Sequence, residues 1–144
     1  MTSPKKIPRG IRNNNPLNIR IGNNWQGEKL PNTDGSFEQF TEMKYGLRAA
    51  FILLRNYINK YGLNTIEKII KRWAPSNENN TKEYIRRVCK QTGFDRSMHI
   101  DASNSCQMIA LAEAMCVVEN GQEIPLEDIV NGWLLATHSI IDNV

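Results

Sequence analysis

Cysteine, histidine and long apolar runs are what this chain has least of. Its 144 residues include three cysteines and two histidines. An odd cysteine count leaves at least one thiol unpaired. Cys106 and Cys116 read as parts of one helix and would lie about 15 Å apart at ~1.5 Å of rise per residue, too far to bridge. A disulfide-built scaffold is therefore not expected, and all three read as reduced, packing thiols. His99 and His138 stand apart from any Cys, Asp or Glu at metal-ligand spacing, so neither a metal nor another cofactor is expected. No stretch has the length of a membrane span. The opening "MTSPKKIPRG" has two lysines with no apolar run behind them, unlike a secretory signal. Strong charge of one sign is missing too. A net charge of +3 suits an anionic polymer but falls far short of a dedicated nucleic-acid binder.

What remains is ordinary globular composition, 40% hydrophobic and 23% charged, enough for one domain with a real core. Residues 1 to 8, with Pro4 and Pro8, read as a flexible arm, and 9 to 144 as a single domain. The segment "RGIRNNNPLNIR" runs three asparagines into a proline. Such turns favour positive φ and side-chain-to-backbone hydrogen bonds, so the amides either shape the backbone or line a polar groove. "LNIRI", the turn-like "GNNWQG" and "PNTDGSFEQF" suggest a small β flap of two or three strands.

Beyond Thr41 the chain reads as helical. Leu47, Ala50, Phe51, Leu54, Tyr57, Ile58 and Tyr61 recur at helical spacing up to a capping Gly62. "NTIEKIIKRWAP" starts at Asn64 or Thr65 and stops before Pro75. Asn80 and Glu83 have capping-box spacing, with Tyr84, Ile85 and Val88 as the apolar face before Gly93. From Met108 to Val118 only Glu113 is charged, which places that helix in the middle of the fold, wrapped by the others. Asn120-Gly121 ends it, and a last helix follows from about Pro125. The fold class is mainly α (α+β), with five or so helices around a buried central helix and a small N-terminal β flap.

Glu119 emerges from the buried helix at its C-terminal end. The helix dipole and apolar neighbours both disfavour its ionised form there, so it is the candidate general acid. The plainer reading is a solvated glutamate before a glycine cap, and Glu113 reads as a solvated or ion-paired residue. Glycosidic chemistry often needs a second carboxylate. The flap supplies Glu28, Asp34, Glu38 and Glu42, with Asp34 also a turn former and Glu38 and Glu42 also outward strand and helix-start residues, and none stands out by chemistry. Trp25, in a polar turn, either covers the flap or offers an indole face to a sugar. Lys68, Lys71, Arg72, Arg86, Arg87 and Lys90 form basic helix faces, but they alternate with acidic residues and read as solvated surface rather than a nucleic-acid site.

Several of these stretches are similar to a known family. "RGIRNNNPLNIR", "DGSFEQF", "YGLRAA", "RWAPSNENNT" and "VVENG" resemble small phage and prophage virion structural proteins, over residues 9 to about 121. More loosely, the asparagine turn and aromatics resemble the flap of lysozyme-like peptidoglycan hydrolases, in which a buried helix ends in a catalytic glutamate, as "ENG" does here. In those enzymes the glutamate helix precedes the flap. The order here implies either a circularly permuted lysozyme-like domain or a likeness confined to the flap.

The resemblance implies peptidoglycan glycan strands as substrate, cleaved by a muramidase or lytic transglycosylase. Glu119 would be the acid, with Asp34 or Glu38 as second carboxylate. Asn13, Asn14, Asn15, Asn18 and Trp25 would contact the sugar. The alternative is a non-catalytic virion structural or cell-wall-binding protein. Other virion proteins are the further partners implied, and neither a membrane nor nucleic acid is. The expected place of action is the virion or the bacterial wall, reached without a secretory signal.

Overall fold

Side chains that take up free backbone amides open three of the helices of this chain, and glycines close three. The computed structural model describes residues 6–77 and 79–141, with side chains described through residue 138. The arm expected at residues 1 to 8 falls mostly on residues 1–5, outside the described residues. The helices are α1 (Arg9–Arg12), α2 (Met43–Tyr61), α3 (Ile66–Trp73), α4 (Thr81–Thr92), α5 (Ser105–Asn120) and α6 (Leu126–Ile141). The Thr65 hydroxyl accepts from the Lys68 amide at 3.2 Å and opens α3. Asn80 does the same for α4 through the Glu83 amide at 3.2 Å, and Asn104 for α5 through Gln107 at 3.0 Å. The Glu83 carboxylate does not complete a capping box, because it pairs with Arg86 at 2.5 Å. Gly62, Gly93 and Gly121 close α2, α4 and α5 in the left-handed conformation.

α2 runs along α6, and α5 packs against α1, α2, α4 and α6, which makes it the central helix. Between Gln107 and Asn120 no residue is exposed. Met108, Leu111, Ala112, Ala114, Met115 and Cys116 are fully buried. Gly132 lets α6 close on α2, since a Cβ there would lie 2.5 Å from Leu47 Cβ. Beside it Phe51 and Trp133 meet edge to face, with centroids 5.2 Å apart. Two expected core groups lie outside. Tyr61 is 56% exposed at the end of α2, and Cys106 is exposed in the first turn of α5, while Cys89 is half-buried and Cys116 buried.

The expected β flap is corrected by the structure, for no strand forms among the described residues. Residues 13–41 make an irregular loop held by isolated antiparallel bridges, Arg20 to Phe37 and Glu28 to Phe40. The cause is local. Asn14 and Asn18 adopt φ of 54°, which breaks any extended run on either side of Pro16. Side chains then take the backbone groups a ladder would use. Asn15, fully buried, accepts from the Ile19 amide at 3.0 Å and donates to the carbonyls of Ile19 and Glu38 at 2.9 and 3.0 Å. Asn32 Oδ1 accepts from the Asp34 and Gly35 amides, and Asp34 Oδ1 from those of Ser36 and Phe37. The loop sits on α2 at Gly46, where any Cβ would collide with the Asn14 carbonyl.

Candidate functional site

The loop and the end of the central helix meet at one point. Asn120, the last residue of α5, donates through Nδ2 to the Pro16 carbonyl at 2.8 Å and to the Cys116 carbonyl at 2.9 Å. One bond ties the helix end to the loop and the other satisfies a carbonyl of the last turn. Glu119, next to it, accepts at Oε1 from Asn18 Nδ2 at 2.9 Å. The left-handed backbone of Asn18 aims its amide at this carboxylate.

Glu119 lines a cleft of about 300 Å³ between α4 and α5, together with Asn79, Asn80, Glu83, Tyr84, Arg87 and Val118. Its carboxyl is largely buried, and burial raises its pKa above the ordinary value of 4.5, against the opposing pull of Asn18 and Tyr84. Its place in the last turn of α5 acts in the same direction as burial. The Tyr84 hydroxyl is buried and finds no hydrogen-bond partner of acceptable geometry among the described residues. It is nevertheless close enough to Glu119 for each group to shift the other's ionisation. Such a carboxyl holds its proton to a higher pH than a solvated glutamate does, and it opens on a polar cleft.

Asn18 also borders a second cleft of about 260 Å³, with Ile19, Arg20, Asn23, Leu53, Tyr57 and Trp73. Tyr57 and Trp73 meet edge to face there at 5.7 Å. Asn18 thus touches the Glu119 carboxylate on one side and lies beside an aromatic pair on the other.

The remaining expected site residues are not brought to Glu119. Asn13 Nδ2 donates to Asp34 at 2.9 Å and its Oδ1 accepts from Gln39 at 3.2 Å. Asn14 donates to the Phe40 carbonyl at 3.0 Å, and Asn15 holds the loop as described. Asp34 is locked by Arg9, whose Nη2 and Nε lie 2.6 and 2.8 Å from its two oxygens. That bidentate pair, helped by Asn13 and two backbone amides, holds its carboxyl well below the usual carboxylate range. Glu38 lines a separate cleft of about 250 Å³ with Glu28, Asn23, Asn32 and others, which shares no residue with the Glu119 cleft. Burial, reinforced by the facing Glu28 carboxyl, pushes Glu38 up to about 7. Trp25 packs against the core with its indole Nε1 buried and unpartnered among the described residues, and its backbone amide donates to Glu28 at 2.8 Å. Among the described residues no group of three His, Cys, Asp or Glu could hold a metal.

Tyr84, Tyr57 and Trp73 are cleft residues that sequence reasoning assigned to apolar faces or left unassigned. A tyrosine on a buried helix face carries its own signal, because its hydroxyl needs a partner from a neighbouring element. Glu119 is the neighbour whose ionisation Tyr84 influences, although no hydrogen bond of acceptable geometry joins the two.

No protein-family model matches the chain. A comparison with curated proteins does place it: it belongs to a family of phage proteins. Protein P5 of Pseudoalteromonas phage PM2 is 43% identical over 124 residues, covering 83% of this chain and 76% of that one. No helix among the described residues is long and apolar enough to cross a membrane.

Proposed function

We propose that this chain is a component of a phage particle, in a structural or wall-binding place among other virion proteins. The relationship to Protein P5 over most of both chains carries this reading. The site geometry is in keeping with it, since neither expected second carboxylate stands beside Glu119: Asp34 is paired with Arg9 and Glu38 belongs to another cleft. The test is whether the chain travels with purified particles. Loss from the particle fraction of a strain that expresses it overturns the reading.

One observation favours a second reading, in which the chain cleaves peptidoglycan glycan strands from a permuted lysozyme-like arrangement. That observation is a buried carboxyl with a raised pKa, at the end of the central helix, opening on a polar cleft and touched by the asparagine loop. Glu119 would protonate the glycosidic oxygen. A hydrolase would need a further base or nucleophile nearby. A lytic transglycosylase needs only Glu119, which gives a proton to the leaving group and then takes one from the substrate's own attacking hydroxyl. Glu83 lines the same cleft but its carboxylate is paired with Arg86, so this reading runs to the transglycosylase. Incubation with peptidoglycan should then release anhydro-muramyl fragments, and Glu119→Gln should abolish them. No fragments from folded wild-type protein on several wall types leaves the first reading alone.

A further inference from the structure

Two side-chain oxygens beside Glu119 are buried without a donor. Asn18 Oδ1 and Asn120 Oδ1 find no hydrogen-bond partner among the described residues. A buried, unpaired amide oxygen loses its hydration without gaining a partner, and two at this junction call for an explanation. Neither amide is free to be reversed at will. Asn120 is fixed by its two Nδ2 donations, to Pro16 and Cys116. Asn18 is fixed only by its donation to Glu119 Oε1, a bond that requires the carboxyl oxygen to accept.

Both orphan oxygens converge on Gly10 of α1. They lie 2.6 Å (Asn120) and 3.2 Å (Asn18) from the point a Cβ on Gly10 would occupy, with the Asn15 carbonyl oxygen 2.9 Å from the same point. Three oxygens thus crowd one spot; the Asn15 carbonyl accepts from the Asn18 backbone amide at 3.0 Å, and the two side-chain oxygens are the ones left without a donor among the described residues. The missing donor is present on the other end of the Asn18 amide.

We propose that Asn18, Asn120 and Glu119 form a proton-linked amide switch. When Glu119 takes a proton from solvent through the cleft, the Asn18 amide turns over. Its Oδ1 then accepts the new carboxyl O–H, and its Nδ2 swings towards Asn120 Oδ1. One proton supplies a donor to each orphan oxygen. Release of the proton returns the amide to the orientation in which Nδ2 donates to the carboxylate. Asn18 and Asn120 are positioning residues in this device, and Gly10 makes room for the turn. The loop and the end of the central helix are thereby joined more tightly in the protonated state.

The groups facing Glu119 do not compete for that proton. From α4 they are Tyr84, Glu83 and Arg87, and from α5 Cys116. Tyr84 and Cys116 are held neutral by burial, and Glu83 is held charged by Arg86. The inference deepens the acid reading of Glu119, because it requires a proton there, but it does not require glycan cleavage.

Nuclear magnetic resonance of the full chain tests it, following the Glu119 side-chain carboxyl carbon and the Asn18 side-chain amide from about pH 4 to about pH 9. Asn18→Gly, which tolerates the positive φ, assigns the amide signal. The Asn18 amide should shift with the same midpoint as the Glu119 carboxyl, above 4.5, and should be insensitive to pH in Glu119→Gln. An Asn18 amide that stays still while Glu119 titrates with a raised midpoint overturns the switch and leaves the acid reading standing. A Glu119 midpoint at 4.5 overturns both. The wild-type titration is decisive even where the glutamine variant fails to fold.

Discussion

Asp34 and Glu38 sit on the same loop, and their surroundings push their carboxyls in opposite directions. Asp34 has a depressed folded pKa because Arg9 grips its ionised form. Its contribution to stability is full above the unfolded value of 3.8 and is lost as pH falls below it. Asp34→Asn should therefore destabilise the protein at neutral pH and flatten its acid transition, as thermal melts across that range will show. Glu38 has a raised folded pKa, so the folded state holds a proton that the unfolded chain releases. Its favourable contribution is complete below 4.5 and is lost as pH rises from 4.5 to about 7. Glu38→Gln should remove that decline, and the melting temperatures of the two proteins should diverge in the variant's favour towards pH 7.

Most of what the elements do was legible from residue patterns. Caps at Thr65 and Asn80, and the stops at Gly62, Gly93 and Gly121, follow from local chemistry and appear as expected. The central position of α5 followed from its lack of charge. The loop was misread because alternation in "LNIRI" looks like a strand, while the preference of Asn14 and Asn18 for positive φ decides otherwise. Which asparagine would reach Glu119 was not legible either, since it depends on how the loop seats on Gly46 and on Asn120.

Packing at the element scale makes two expectations concrete. Gly132→Ala would force α6 away from Leu47, and overpacking of this kind costs about 1–3 kcal/mol, measurable by denaturant unfolding. Asn15→Ala would strand the Ile19 amide and the Glu38 carbonyl in the loop, while the Ile19 carbonyl keeps the Glu38 amide, at about 1–3 kcal/mol for each buried group left unpaired. It should loosen the loop, read as faster amide exchange over residues 13–41, while α2 and α6 keep their protection.

At the scale of the whole molecule, a mainly helical body carries one irregular loop that closes against the end of its central helix. The chain has a phage relative matching most of its length, and two small clefts border the junction of loop and central helix. In the cleft Glu119 is joined by Glu83, whose carboxylate is taken up by Arg86, so among the described residues the cleft holds one carboxyl without a cationic partner rather than a matched catalytic pair. The central claim is membership of the particle. Quantitative mass spectrometry across a density gradient of phage particles, from a strain that encodes this chain, tests it most directly. The account predicts that the chain peaks with the capsid protein and stays there after a high-salt wash. A chain that is abundant in the lysate but absent from the particle peak would contradict it.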